Sequence, residues 1–243
     1  MVDKTTMLEE YQNGIFGKLA NIALPKVAFD IKVDVPQHLT SNFVAIASGS
    51  FESNFTMYQN LKRTCSATPD KKYIIVDLVS DTSIDMMFGI KQVNSPIPWL
   101  QGSQQFYSFL ADTKYPNVKV LSTGLAYINE LAFLTVDWVS RITELQNQAD
   151  MIIFNVGCLN DFVAKVLFTS FCKIMKGHIV VKATPINLRT VILTLTGFKD
   201  KIVLNNVLVS CANFDTTQSK QLYQKLVQKC QAQILKDADV LKL

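Results

Sequence analysis

Histidine is almost missing from this sequence, since His38 and His178 are the only two among 243 residues. A histidine-rich zinc site or a Ser-His-Asp relay would have to be assembled almost entirely from these two side chains. The simpler interpretation is one loop histidine and one histidine that opens a strand. The sequence therefore gives little support to a zinc enzyme or to a hydrolase of the Ser-His-Asp class.

Paired cysteines, a signal peptide and long apolar runs are lacking as well. The cysteines are odd in number and widely spaced, without a Cys-x-x-Cys motif: Cys65, Cys158, Cys172, Cys211 and Cys230. This pattern argues against a disulfide scaffold or a zinc knuckle. The first residues, MVDKTTMLEE, place acids where a signal peptide has its apolar core. No run reaches the ~18 uncharged apolar residues that a spanning helix needs. We expect a cytoplasmic protein without a transmembrane segment.

Charge of either sign is sparse and scattered. The 24 Lys and Arg residues exceed the 20 Asp and Glu residues only slightly, for a net charge of +4. Because the basic residues form no cluster, we predict no dedicated nucleic-acid binding. At 49% hydrophobic and 18% charged residues, the chain has ample material for a large core and too few charges to be disordered.

What the sequence does contain is an alternation of short β-branched runs with helical stretches. Residues 1–40 are predicted to be an N-terminal extension with a helix from Met7 to Ile22, and residues 41–243 to be one domain. Predicted strands are Phe43–Ser48, Tyr73–Asp77, Val118–Ser122, Met151–Phe154, His178–Ala183 and Ile202–Ser210; predicted helices are Asn129–Gln148, Asp161–Ile174, Pro185–Gly197 and Thr216–Leu235. The alternation predicts an α/β fold, a doubly wound, mostly parallel sheet with helices on both faces.

Ligands of such a sheet bind beyond the carboxyl ends of its strands, so the loop after the first strand is informative. It reads SGSFESNFTMYQNLKR. In place and context this loop resembles the phosphate loop of bacterial tyrosine autokinases of capsule and exopolysaccharide synthesis, relatives of the MinD and ParA ATPases. That family carries Pro-Gly-Glu-Gly-Lys-Ser/Thr, followed by an Asn-Leu pair that Asn60 and Leu61 match. The resemblance implies a phosphate-binding-loop NTPase fold.

The residues that would hold a nucleotide are replaced in this loop. With Glu52 on the family's Glu, the two glycines become Phe51 and Ser53, the lysine becomes Asn54, and the Ser/Thr that binds magnesium becomes Phe55, with Thr56 after it. A phosphate loop needs glycines for close backbone approach, a lysine for the outer phosphates and a hydroxyl for the metal. All three features are missing.

The acidic motifs are depleted in the same way. Asp77 matches the first acid of the family's second acidic motif, whereas Val79 replaces the second acid. Asn155 stands where the family has the aspartate on the metal side, and a neutral amide cannot supply the charge that holds magnesium. Asp77, Asp81 and Asp85 remain candidates for an acidic metal patch, although acids at strand ends and helix starts are more often caps.

Weaker similarity extends over most of residues 43–211, and EEYQ (residues 9–12) is similar to the helix through which the family's subunits meet. The tyrosine-rich tail on which those kinases phosphorylate themselves is replaced, since Tyr223 is the only tyrosine after Tyr127. The resemblance therefore implies a pseudoenzyme with no catalytic residue, metal or cofactor. ATP and magnesium would bind only if the degenerate site still holds them.

The candidate site is thus a vestigial phosphate loop, Ser50, Phe51, Glu52, Ser53, Asn54, Phe55 and Thr56, with Asp77 and Asn155 from the vestigial acidic motifs. Phe51 and Phe55 are predicted to fill the vacated nucleotide cleft. The competing interpretation is that Ser50, Ser53 and nearby backbone N–H groups bind another anion at the helix N-terminus.

Three functions follow from the resemblance. The first is a non-catalytic scaffold or regulator in polysaccharide assembly, which joins an active kinase homologue, a membrane chain-length protein or copies of itself. Such a protein would act in the cytoplasm, at the inner face of the membrane through its partner. The second is an ATP-binding autokinase or ATPase with an atypical site. The third is a MinD-like or ParA-like positioning protein on membrane or DNA.

Overall fold

The computed structural model describes residues 42–79, 82–91, 94–123, 133, 135–174, 178–184, 187–198, 207–211 and 233–235. The strands are β1 (Phe43–Ser48), β2 (Tyr73–Asp77), β3 (Ala111–Asp112), β4 (Val118–Ser122), β5 (Met151–Cys158), β6 (His178–Ala183), β7 (Val207–Cys211) and β8 (Gln233–Leu235). The helices are α1 (Phe51–Ala67), α2 (Ser83–Phe88), α3 (Ile97–Leu100), α4 (Trp138–Leu145), α5 (Phe162–Ile174) and α6 (Leu188–Phe198), with a 3-10 turn at Phe106–Phe109.

The strands form one eight-stranded sheet in the order β3-β4-β2-β5-β1-β6-β7-β8. Every neighbouring pair is parallel except β3 and β4, which are antiparallel. The sequence-based prediction of a mostly parallel α/β sheet is therefore confirmed. The central position of β1 and β5 places the β1–α1 loop in the middle of the sheet's carboxyl edge, where ligands of such folds bind.

Each face of the sheet has its own apolar layer, because successive residues of a strand point to opposite faces. On one face Ile46, Ile75 and Ile153 pack with Tyr58 and Leu61 of α1 and with residues of α2. On the other face lies a chain of aromatic rings: Phe43 contacts Phe154 at 6.2 Å between ring centroids, and Phe154 and Trp138 each contact Phe171 at 5.1 Å. Because both faces of the sheet are apolar, helices cover both of them, as the sequence predicted.

Four predicted strands have the bounds that the sequence indicated, and the others differ in length. β5 continues past Phe154 to Cys158, and β7 ends at Cys211, while residues 202–206 of that predicted strand lie outside the described residues. The predicted helix Thr216–Leu235 is wrong at its end, since Gln233–Leu235 pairs with β7 as a parallel strand. The predicted extension at residues 1–40, including the helix Met7–Ile22, also lies outside the described residues.

The predicted helices between the strands begin later than the sequence suggested. Asn129–Gln148 was too long, because helix α4 starts at Trp138 and the preceding Asp137 is its N-cap. The backbone N–H and hydroxyl of Ser140 both donate to the Asp137 carboxylate, and these bonds lower the pKa of Asp137. α6 begins at Leu188, with Asn187 bonded to Thr184 ahead of it. Among the described helices, none is both long and apolar enough to cross a lipid bilayer.

One side chain ties the end of α1 to the start of β4. The amide Nδ2 of Asn117 donates to the backbone carbonyls of Cys65, Thr68 and Lys71 at 3.0, 3.1 and 3.0 Å. The last carbonyls of a helix have no partner within the helix. Asn117 therefore caps α1 from outside and fixes where the helix meets the sheet.

We expect Asn117→Ala to lower the free energy of unfolding by about 1–3 kcal/mol, because it removes the shared donor of these carbonyls. Urea denaturation followed by circular dichroism measures the change. The control is Asp112→Ala, which removes an exposed ion pair with Lys119 and should cost no more than about 1 kcal/mol. Equal effects of the two substitutions would contradict the role of Asn117.

Candidate functional site

The connection between β1 and α1 is short, with only Gly49 and Ser50 between Ser48 and Phe51. Ser50 is the N-cap of α1, and its side chain accepts a hydrogen bond from the Ser53 N–H at 3.3 Å. The Ser50 carbonyl accepts from the N–H groups of Ser53 and Asn54 at 3.0 and 3.2 Å. These amides are therefore used within the helix, whereas a phosphate loop directs its amides at the ligand.

Asn54 turns its side chain toward β1. The Ser48 hydroxyl is bonded to the Asn54 amide oxygen and also donates to the Ser50 carbonyl at 2.9 Å. Ser48 is fully buried and Asn54 is only 6% exposed. Asn54, which the resemblance aligns with the phosphate-binding lysine, therefore makes a hydrogen bond between uncharged groups at the end of β1.

Asp77, Asn155 and Tyr58 form a second buried group beside it. Asn155 Nδ2 donates to Asp77 Oδ1 at 2.6 Å and contacts the Tyr58 hydroxyl at 3.0 Å. All three residues are buried, and the β2–β5 register places Asp77 directly opposite Asn155. A buried carboxylate needs donors, because burial without them disfavours the charged form. The amide at position 155 supplies such a donor, which an aspartate in the same place would lack.

The backbone around Asn155 depends on a glycine. Gly157 has φ of 85°, and a Cβ added to it would lie 2.9 Å from the Cγ2 atom of Val79. The β1–β5 register shifts between Ile46 and Ala47 at the same level. Gly157 thereby allows the segment after β2 to approach β5, and its N–H donates to the Asn155 side-chain oxygen at 3.3 Å.

Asn187, just before α6, joins the start of α1 from the other side. Its Nδ2 donates to the hydroxyls of Ser50 and Ser53, both at 2.8 Å, and its side-chain oxygen accepts from the Thr184 N–H at 2.7 Å. Ser53 is fully buried. We call the whole set the carboxyl-edge polar layer: Ser48, Ser50, Ser53, Asn54, Tyr58, Asp77, Asn155 and Asn187.

The structure brings some of the predicted site residues together and separates others. Ser50, Ser53, Asn54, Asp77 and Asn155 belong to the polar layer. Glu52 lies in the first turn of α1, and Thr56 is exposed on that helix. Asp81 is outside the described residues, and Asp85 is buried in the first turn of α2. Within the part of the chain that the structure describes, no three candidate metal ligands form a cluster.

The prediction that Phe51 and Phe55 fill the vacated cleft is wrong. Phe51 is 70% exposed and Phe55 is 61% exposed. Since α1 begins at Phe51, residues four apart share one face of the helix, and these two rings lie on its outer face. Ser53, Asn54, Met57 and Tyr58 occupy the inner face instead.

Several residues of this edge were missed from the sequence. Ser48 and Tyr58 lie within the loop sequence but match no phosphate-binding position, and Asn187 is distant in sequence from the loop and from the acidic motifs. Lys182 had a signal, because a charged residue inside the apolar strand β6 is unusual; it is buried and pairs in register with Ser48.

Comparison with known proteins identifies relatives by structure alone. No protein-family model matches the chain, and no curated protein sequence matches it. The solved structures include the MinC:MinD cell division complex of Aquifex aeolicus, with 18% identity over 80% of this chain and 79% of that chain, at a TM-score of 0.55. Another is the Cyanothece McdA–ATP complex, with 9% identity over 83% and 85% of the two chains, at a TM-score of 0.58.

A third similar structure is an enzyme. Cobyrinic acid a,c-diamide synthase of Mycobacterium smegmatis, with a bound ATP analogue and magnesium, covers 78% of this chain and 83% of its own at 12% identity and a TM-score of 0.54. The chain has the fold of the MinD/ParA-like P-loop ATPases. At these identities the likeness establishes the fold and not the activity.

We expect Asn155→Asp to destabilise the protein by about 3–5 kcal/mol at neutral pH, because it removes one of the donors to Asp77 and adds a second buried carboxylate. Protonation of one carboxyl would relieve the repulsion, so the loss should shrink as pH falls toward about 4. Thermal unfolding as a function of pH measures both effects.

The matched control is Asn160→Asp, which makes the same change at an exposed position and should shift stability by no more than about 0.5 kcal/mol. A neutral-pH loss that is equal in the two variants, or absent in both, would show that Asp77 does not depend on the amide.

Proposed function

We propose that this chain is a non-catalytic P-loop NTPase-like scaffold or regulator that acts through protein contacts. The observation that carries the proposal is the carboxyl-edge polar layer, in which four buried residues form two hydrogen-bonded pairs, Ser48 with Asn54 and Asp77 with Asn155. In a working phosphate loop, groups in this region must face the ligand. Here their hydrogen bonds hold neighbouring elements of the protein together.

The charges of the layer also oppose nucleotide binding. Triphosphate binding relies on a lysine and on a metal held by acids. Asn54 and Asn155 are neutral, and the acid that remains, Asp77, would repel phosphate. Lys182 is a basic residue in β6, but its side chain is buried within the protein. A nucleotide would have to break the hydrogen bonds of the layer to reach its polar groups.

The pathway is proposed from the motif resemblance. Similarity to the capsule and exopolysaccharide tyrosine autokinases supports a cytoplasmic role in polysaccharide assembly, at the inner face of the membrane through a partner. That partner would be a membrane chain-length protein, an active kinase homologue or another copy of this chain. The MinC:MinD complex is a protein of this fold joined to a different protein, which makes partner binding a reasonable use of the domain.

A MinD/ParA-like positioning function is the second candidate, and the fold likeness to MinD and McdA favours it. A protein that switches location with its nucleotide must bind that nucleotide, so this candidate shares a requirement with an atypical ATPase or autokinase. Nucleotide binding therefore separates the scaffold from both alternatives.

We expect no binding of ATP, ADP or GTP in isothermal titration calorimetry with magnesium at millimolar nucleotide. A dissociation constant above the ligand concentration stabilises the fold by less than about 0.4 kcal/mol, so the melting temperature should barely move. A MinD ATPase with an intact phosphate loop serves as the positive control. Micromolar affinity would contradict the scaffold proposal, and Glu52, Asp77 and Asn155 would then be the residues to substitute.

A further inference from the structure

The outer face of α1 carries an unusual stripe of exposed residues. Phe51, Phe55, Gln59 and Arg63 recur every four residues along it, and all four are exposed. Two phenylalanine rings that are 70% and 61% exposed at adjacent turns form an apolar surface that a single helix seldom presents to water. On α2, in the same layer, Met86 is exposed as well.

The two ends of this stripe differ in character. Phe51 and Phe55 make its amino-terminal end aromatic, whereas Lys62 and Arg63 make its carboxyl-terminal end cationic. Lys119–Asp112 and Arg141–Glu144 are ion pairs among the described residues, and neither includes Lys62 or Arg63. Within the described part of the chain, Arg63 donates to the neutral side chain of Asn60, at 2.8 Å.

The stripe is complementary to the same stripe on a second copy of α1 that runs in the opposite direction. Gln59 lies midway along α1, which runs from Phe51 to Ala67. If a second α1 packs antiparallel across Gln59, the Phe55 ring of each copy faces the basic pair of the other. Cations are attracted to the faces of aromatic rings, and a contact between identical surfaces repeats every pair twice about a two-fold axis.

A parallel arrangement lacks this complementarity, because it sets the basic pair of one copy against the same pair of the other. An acidic partner would satisfy Lys62 and Arg63 but would place its charge beside two phenylalanine rings. The antiparallel second copy covers both halves of the stripe.

We propose that the outer face of α1 is a homodimer interface, in which a second copy of the chain packs antiparallel across a two-fold axis at Gln59. The proposal extends the proposed function by naming another copy as the partner. It does not depend on the state of the polar layer, because that layer lies on the inner side of α1. A positive nucleotide titration would overturn the scaffold proposal and leave this interface untouched.

The test is sedimentation velocity of the full chain up to about 200 μM, since dimer formation depends on protomer concentration. We expect a monomer–dimer equilibrium for the wild-type chain. A chain that stays monomeric over this range would overturn the proposal.

A pair of substitutions at one position tests the direction of packing. Phe55→Lys and Phe55→Glu remove the same ring, but lysine would face the partner's basic pair and glutamate would complement it. We expect Phe55→Lys to weaken dimerisation at least about tenfold more than Phe55→Glu. Equal effects would contradict the antiparallel arrangement, because a parallel dimer places residue 55 against its own copy.

The matched control is Leu193→Ser on α6, since Leu193 is an exposed apolar residue at 63% on another helix. It should dimerise like the wild-type chain. All of these positions are exposed, so we expect every variant to remain folded, which circular dichroism and the melting temperature verify. Loss of the dimer in Leu193→Ser would show that the interface includes α6, and it would contradict the proposal.

Cross-linking locates the axis. Gln59→Cys should form a disulfide-linked dimer on mild oxidation, because a residue at a two-fold axis meets its own copy, while Leu193→Cys should not. The wild-type chain under the same oxidation gives the background. Burial raises the pKa of Cys65 to about 12 and raises the pKa of Cys172 as well, so these thiols stay unreactive. Efficient linkage at position 193 with none at position 59 would overturn the proposal.

Discussion

The side chain of Asp77 is fully buried at the carboxyl end of β2 and accepts a hydrogen bond from Asn155. The arrangement of the neighbouring polar side chains depends on this bond. A buried carboxylate stays ionised only where hydrogen-bond donors replace the water that it has lost. Asn155 supplies such a donor from the neighbouring strand and also contacts Tyr58 of α1, so one amide connects two strands and a helix. Asn54 and Asn155, which the motif resemblance aligns with the family's lysine and aspartate, make hydrogen bonds at the carboxyl edge of the sheet.

The fold of this chain and the side chains of its candidate site are determined by different parts of the sequence. The parallel sheet, the central β1 and the helix that follows it match the MinD/ParA-like P-loop ATPases. The frame depends on apolar alternation along the strands, which is independent of the residues at their ends. Asn54 and Asn155 hydrogen-bond to Ser48 and Asp77, which stand at the ends of β1 and β2. Phe51 and Phe55 belong to neither the core nor the polar layer, and their exposure is the basis of the proposed association through α1.

The parts of the structure that the sequence predicted are those set by local pattern. Continuous β-branched runs such as Tyr73–Asp77 predicted the strands within the parallel sheet, and the loop motif predicted the place of the site. The outward direction of Phe51 was missed because it depends on where α1 begins, which the N-cap Ser50 sets after a connection much shorter than a phosphate loop. Asn187 was missed for a different reason. Its contact with Ser50 and Ser53 spans more than a hundred residues, and neither the periodicity nor a motif carries that information.

Hydrogen–deuterium exchange across residues 48–58 and 151–158, with and without millimolar magnesium–ATP, tests the central claim most directly. A polar layer satisfied by its own hydrogen bonds should exchange slowly in the free protein, and added nucleotide should leave that exchange unchanged. The control segment is the amino-terminal part of β4, Val118–Val120, because only the other end of this strand, at Ser122, pairs with Asp77; its exchange should also be unaffected by nucleotide. Fast exchange at Ser53 and Asn54 that slows on addition of nucleotide would show an open site that the ligand closes, and it would contradict the account.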